Sequence, residues 1–157
     1  FDRDGLYGSA GQDYPDNPER FGCLARAAVA WMAAGSPYDV VHAHDWQAGL
    51  VPVLLASGTA PVPVATVFTI HNLAYQGLFD ASWLPRLGLG AGLMGVNGIE
   101  YWGRLSFLKG GLLFSNLITT VSPQYAREIQ TPELGFGFDG ILTGRSGALV
   151  GILNGID

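Results

Sequence analysis

The segment Asp39-Val-Val-His-Ala-His-Asp-Trp46 holds the densest chemistry of the sequence, a short apolar run that stops abruptly at two imidazoles and a carboxylate. Asp39 to Val41 is too short for a helix and reads as a buried strand, with His42, His44 and Asp45 at its carboxyl end. The pattern recurs along the chain. Val64-Ala-Thr-Val-Phe-Thr-Ile70 stops at His71-Asn72, Leu117-Ile-Thr-Thr-Val121 at Ser122-Pro123, and Ala148-Leu-Val-Gly-Ile-Leu153 at Asn154-Gly155. In an open parallel sheet, groups placed outside the carboxyl ends of the strands converge on one crevice. Asp45, His71 and Asn154 are therefore candidate site residues. Each taken alone could be a cap or a turn; their recurrence at successive strand ends points to a site.

Other patterns are weighed by what their chemistry requires. His42-Ala-His44 puts two imidazoles on one face if the strand continues, a spacing that suits zinc in a hydrolase, with Asp45 as an oxygen ligand. A zinc centre needs a further ligand, and His71 is the one remaining histidine. The preferred reading is a buried His42, a His44 that caps the next helix, and no metal. Gly90-Ala-Gly-Leu-Met-Gly95 spells G-x-G-x-x-G but lies in a loop, without the strand before and helix after that a pyrophosphate site needs. Ser122 lacks the G-x-S-x-G elbow of a nucleophile and reads as a helix N-cap ahead of Pro123.

The elements that would position these residues alternate between strand and helix. A helix is predicted over about Pro18–Ala34, with Phe21, Leu24, Ala25, Ala28, Val29 and Met32 on its apolar stripe and Gly35-Ser-Pro37 as its stop. A second starts at Asp45 or Trp46 and runs over about Gln47–Ala56, before a turn at Gly58–Pro63. No strand is expected between Asn72 and Gly98, a loop long enough to suggest function. A helix over Ile99–Phe114, a short one from Pro123 to about Ile129, and a turn or short helix near Gly140–Leu142 complete the pattern. The expected class is α/β, a Rossmann-like doubly wound parallel sheet.

Composition sets the bounds. With 157 residues, 48% hydrophobic and 13% charged, the chain can bury a sizeable core. A net charge of −5 with dispersed Lys and Arg leaves no basic stripe for nucleic acid. No apolar run is long enough to span a bilayer. The single cysteine, Cys23, reads as a buried inert thiol in a reducing compartment.

Taken together, Phe1-Asp-Arg-Asp-Gly-Leu-Tyr-Gly8, Val40-Val-His-Ala-His-Asp-Trp-Gln-Ala-Gly49, Val67-Phe-Thr-Ile-His-Asn-Leu-Ala-Tyr-Gln-Gly77, Ser106-Phe-Leu-Lys109, Thr119-Thr-Val-Ser-Pro123 and Leu153-Asn-Gly-Ile-Asp157 resemble the N-terminal domain of bacterial glycogen synthase and plant starch synthase. The resemblance is collinear over almost the whole chain. It implies part of the N-terminal domain of a two-domain GT-B glycosyltransferase over residues 1–157. The first strand with its Lys- and Gly-rich loop would lie upstream, and the second Rossmann domain downstream. It further implies retaining transfer of glucose from ADP-glucose to the non-reducing end of an α-1,4-glucan, with no metal or cofactor. His71 would meet the donor sugar near its 6-hydroxyl, and Asp45 would line the sugar and acceptor pocket as the second catalytic candidate. Tyr7 would face the acceptor side, Asn154 would lie in the donor site, and Asn72, Gln76 and Gly77 would join the substrate-binding set. The setting would be the bacterial cytoplasm, or the plastid stroma in a plant. Two other readings stay open: a metal-dependent hydrolase built on His42, His44 and Asp45, and a non-catalytic glucan-binding module built on Trp46, Trp83, Trp102 and the tyrosines.

Overall fold

A computed structural model describes residues 2–35, 38–58 and 63–155. The expected Gly35-Ser-Pro37 stop, the Gly58–Pro63 turn and the final Gly155-Ile-Asp157 lie partly outside them. A two-stranded ribbon, β1 (Gly8–Ser9) and β2 (Gln12–Asp13), precedes helix α1 (Asn17–Ala34). Strand β3 (Val40–His44) leads directly into α2 (Asp45–Ala48) and α3 (Leu50–Ala56), and β4 (Ala65–Ile70) follows. Next come β5 (Leu78–Asp80), α4 (Trp83–Arg86), β6 (Glu100–Tyr101), β7 (Arg104–Ser106) and α5 (Phe107–Phe114). The chain closes with β8 (Leu117–Thr120), α6 (Pro123–Glu128), α7 (Asp139–Gly144) and β9 (Leu149–Gly151).

Strands β3, β4, β8 and β9 form a four-stranded parallel sheet in that order. The register sets His44 beside Thr69, and Thr69 beside Thr119. Each strand is laid beside its predecessor in the same direction, so right-handed crossovers stack the connecting helices on one face. Ala43, Phe68 and Ile118 are buried on that face. Helix α5 approaches it so closely that a Cβ on Gly111 would lie 2.2 Å from a ring carbon of Phe68. The opposite face carries Val40, His42, His44, Ala65 and Val150, all exposed.

Five expectations are corrected. The first strand is not a buried Asp39–Val41: it runs on through both histidines, bonds to one neighbour among the described strands, and leaves Val40 54% exposed. The second helix breaks at Gly49 into α2 and α3, with Pro52 in the first turn of α3, where a missing N–H costs nothing. The segment from Asn72 to Gly98 contains β5 and α4, and Ile99–Phe114 begins as the β6–β7 hairpin before α5 starts at Phe107. Trp102 and Gly103 turn that hairpin with φ of +50° and +77°, a conformation no helix contains. Finally, Cys23 is exposed. The stripe of α1 that meets the core is Phe21, Ala25, Val29 and Met32; at 100° per residue Cys23 falls on the far side, and Leu24 is also 44% exposed.

Capping follows the expected chemistry. Ser122 Oγ accepts the Tyr125 N–H at 2.9 Å, and Ser106 Oγ accepts the Lys109 N–H at 3.1 Å. At the other end of α5, Arg145 donates to the carbonyls of Leu112, Ser115 and Asn116, placing a cation at the negative end of the helix dipole. Lys109 is buried, and its Nζ donates to the Glu100 carbonyl at 2.6 Å, which fastens the β6–β7 hairpin to α5.

Replacing Gly111 with Ala should force α5 away from Phe68. We expect a loss of about 1–3 kcal/mol, the usual cost of overpacking a close-packed core, read as a lower midpoint in urea unfolding. An unchanged midpoint would show that the helix can shift without cost.

Candidate active site

Strand β3 and helix α2 share no loop. His44 ends one, Asp45 begins the other, and the chain turns the corner because Asp45 takes φ +54°. Among residues with a Cβ, Asp tolerates this left-handed conformation better than most, though still at a cost of roughly 1–3 kcal/mol. The corner aims the side chain along the sheet edge, where Asp45 Oδ1 accepts the backbone N–H of His71 at 2.8 Å. The ends of β3 and β4 are thereby joined by a carboxylate.

Behind that corner the three imidazoles lie in a row. The His42 and His44 rings are 4.1 Å apart between centroids, and those of His44 and His71 are 5.3 Å apart. His44 Nδ1 hydrogen-bonds His71 Nε2 at 3.0 Å, and His42 Nε2 bonds Thr69 Oγ1 at 2.6 Å, itself 2.6 Å from Thr119 Oγ1. Neither histidine has the role first expected: both are exposed, and the His44 side chain caps nothing. Among the described residues no group of three or more His, Cys, Asp or Glu side chains is arranged to hold a metal ion. Partial burial, then the charges His42 and His71 would carry, hold the His44 imidazole below its ordinary range, while Asp45 pulls the other way.

After His71 the chain is tied down residue by residue. Asn72 Oδ1 accepts the Ala74 N–H at 3.0 Å, and the Leu73 N–H donates to Tyr125 Oη at 3.0 Å. The Gln76 carbonyl accepts from Ser106 Oγ, and the Gly77 carbonyl from the Phe107 N–H. Gly77 sits at φ +57°, with an imagined Cβ 2.7 Å from the Trp46 ring, so only glycine lets the loop pass over that indole. Trp46 in turn packs edge-on to Phe21 and Phe79 and tilted against Tyr7. Tyr7 is fixed through its carbonyl, which accepts from the buried Asn17 amide at 2.8 Å and from the Tyr14 N–H at 2.9 Å.

These elements enclose a cavity of about 720 Å³ lined by five of the expected residues: Tyr7, Asp45, Asn72, Gln76 and Gly77. Its wall also includes Tyr75, one of the tyrosines of the glucan-binding reading, and Asp13, Gln47 and Arg104, which the sequence did not single out. Arg104 was hidden inside the presumed helix; its place on β7 brings it to the cavity. Two expected residues are not in the wall. His71 stands beside it, linked through Asp45, and Asn154 follows β9, two strand spacings or roughly 10 Å from β4. The Asn154 N–H donates to the Val121 carbonyl at 3.3 Å.

A parallel sheet whose strand ends carry Asp45, His71 and a loop folded over Trp46 can now be set against known proteins. A profile described as the starch synthase catalytic domain matches residues 1–144. The chain belongs to the starch synthase catalytic domain family. It is 52% identical, over its full length, to the glycogen synthase of Syntrophotalea carbinolica, and 54% identical to that of Roseobacter denitrificans, covering 34% of each. It thus spans about a third of the length of the curated relatives it matches. The structure of the catalytic domain of starch synthase IV from Arabidopsis thaliana bound to ADP and acarbose superposes with a TM-score of 0.85 at 38% identity, over 94% of this chain and 32% of that one. The Rossmann-like α/β class and the GT-B family context follow from these matches, and this family contains glycosyltransferases.

The histidine row generates a pH dependence. A depressed His44 means that the folded form binds fewer protons than the unfolded chain, so stability is complete above the ordinary imidazole value of 6.5 and is lost as the pH falls below it toward the depressed folded value. Thermal midpoints measured from pH 7.5 downward should fall for the wild type and fall less steeply for His44→Gln. Parallel curves would mean that His44 carries none of the loss.

Proposed function

We propose that these residues form one wall of the active site of a retaining glucosyltransferase, which moves glucose from ADP-glucose to the non-reducing end of an α-1,4-glucan. The observation that carries the reading is the Asp45–His71 crosslink at adjacent strand ends, beside a cavity walled by Tyr7, Asn72, Gln76 and Gly77. Relatives at 52–54% identity are bacterial glycogen synthases, and the superposed starch synthase holds ADP and acarbose, a nucleotide with a sugar-like chain. In this reading the chain is part of the N-terminal domain of a two-domain enzyme that acts in the bacterial cytoplasm, or in the plastid stroma of a plant, without metal or cofactor.

Breaking the anomeric bond builds positive charge on the sugar and negative charge on the departing phosphate, so such a site must orient hydroxyls, exclude water and place fixed charges where these develop. In this reading the exposed His71 imidazole meets the donor sugar. Asp45 spends one oxygen on the His71 N–H and offers the other to sugar hydroxyls and the positive anomeric region. Tyr7, Asn72 and Gln76 orient the acceptor, and Asn154 serves the donor side. Of the two carboxylates in the wall, Asp45 stands at an end of the parallel sheet and Asp13 on the β1–β2 ribbon, and this reading does not assign them as the pair of a double-displacement glycosidase. It takes departure and attack to occur on the same face of the sugar.

Three substitutions at two positions in a full-length enzyme carrying these residues test the assignment. His71→Ala should reduce kcat/KM for glucosyl transfer about tenfold to a thousandfold while the thermal midpoint stays close to wild type, since the ring is exposed. Unchanged kcat/KM would remove His71 from the site. Asp45→Asn keeps both the acceptor for the His71 N–H and tolerance of positive φ, so it should fold normally and lose rate. Asp45→Ala should lose rate and also about 1–2 kcal/mol of stability.

Metal content separates the transferase from a zinc hydrolase. After dialysis the purified protein should hold no stoichiometric zinc, and a chelator should leave transfer intact. Zinc retained at one per chain, with activity lost to the chelator, would favour the hydrolase.

A further inference from the structure

The four tryptophans of the chain have different fates. Trp46 is buried in the aromatic floor of the cavity. Trp83 lies under the Arg86 guanidinium at 4.0 Å, and Trp31 Nε1 donates to Tyr38 Oη at 2.9 Å. Trp102 is 85% exposed, with the Tyr101 ring edge-on to it at 6.3 Å.

Its position costs the fold twice. Trp102 and Gly103 are the central pair of a two-residue hairpin loop, both at positive φ, where Asn-Gly is the favoured sequence. A bulky side chain in the left-handed region is strained, and an exposed indole gains nothing from burial. Asn at this position would relieve both penalties, so folding does not account for the tryptophan. The hairpin tip is closed without it: Glu100 Oε1 accepts the Gly103 N–H at 2.7 Å.

The tip also adjoins the cavity. Tyr101 pairs with Arg104 across β6 and β7, Arg104 lines the cavity, and its Nη2 is held on the Leu78 carbonyl at 2.7 Å. Trp102 is two residues from Arg104, at most roughly 7 Å along the backbone, so the hairpin tip that carries it lies close to a cavity-lining residue. A cavity of about 720 Å³ takes a small-molecule-sized part of a ligand, and a polymer that enters it must leave over the surrounding surface. The flat, apolar, electron-rich face of an indole matches the C–H face of a pyranose ring, and Glu100, the carboxylate on the same hairpin, is already engaged.

We propose that Trp102 is a stacking platform for the outer residues of an α-1,4-glucan acceptor, a contact beyond the cavity that favours long chains over short ones. This rests on the glucosyl-transfer reading above. The same indole that binds the chain is one the fold would be better without.

The test uses a full-length enzyme carrying these residues, with Trp102→Asn and Trp102→Phe, assayed on glycogen and on maltotriose and run through glycogen-containing native gels. Trp102→Asn should raise the KM for glycogen roughly two- to tenfold, the worth of one aromatic contact, and lose retardation in the gel. Its kcat, its kcat/KM on maltotriose and its Tm should be no lower than wild type, and Trp102→Phe should recover most of the glycogen affinity. An unchanged KM for glycogen, an equal loss on both acceptors, or a lower Tm for Trp102→Asn would overturn the proposal while leaving the transferase reading in place. Absence of transfer to either acceptor by the wild type would overturn both.

Discussion

One hydrogen bond organises the site: the His71 backbone N–H held by the Asp45 carboxylate. It requires Asp45 to sit at positive φ, and that in turn requires β3 to become α2 without an intervening loop. The abrupt corner turns Trp46 inward, where Phe21, Phe79 and Tyr7 gather around it. Gly77 can then cross the indole, and the segment after β4 is led onto the amino end of α5, where Ser106 both caps the helix and bonds the Gln76 carbonyl. Strain at one residue is thus offset by packing and hydrogen bonds that reach from Tyr7 to Lys109, the pattern expected where backbone strain serves a site.

The sheet beneath carries more polarity than a parallel sheet normally buries. Thr66, Thr69, Thr119 and Thr120 are all buried. Each hydroxyl is satisfied: Thr66 with Asn116, Thr69 with Thr119 and His42, and Thr120 on the Ile70 carbonyl. A fully satisfied buried network fixes geometry where a partly satisfied one would cost stability. Here it locks the ends of β4 and β8, so His71 starts from a rigid platform. Beside it, partial burial and the neighbouring imidazoles hold the His44 pKa below its ordinary value.

What the sequence revealed depended on element length. The β-branched runs ending at Ile70 and Val121 are long enough for period and composition to mark them as strands, and the polar residues that follow fall at the sheet edge as expected. Ser122-Pro123 was legible because capping is local chemistry. The β6–β7 hairpin was not. Its strands are two and three residues long, and the apolar residues from Ile99 to Phe114 mimic a helix, so the Trp102–Gly103 turn was the one available sign. Losing the hairpin meant losing Arg104 from the site. Cys23 and Leu24 were misjudged for a simpler reason: an apolar residue in a helix is assigned by its angle to the stripe, and both lie off the face defined by Phe21, Ala25 and Val29.

The charge of the cavity wall constrains how the proposed reaction is divided within a longer enzyme. Asp13 and Asp45 face the cavity, while Arg104 is the one Lys or Arg in the described wall and already spends a donor on the Leu78 carbonyl. With a net charge of −5, the chain as a whole does not attract a diphosphate. A nucleotide-sugar donor needs cations in bidentate or clustered contact with its phosphates. In the proposed reading, this wall supplies the sugar-facing half of the chemistry, orienting hydroxyls and stabilising positive charge at the anomeric carbon. The same reading leaves the phosphate-facing half to cations that this wall does not offer, in a chain that spans about a third of the length of the relatives it matches. In that reading, separating the two roles lets the charges that form in the transition state each meet an opposite sign.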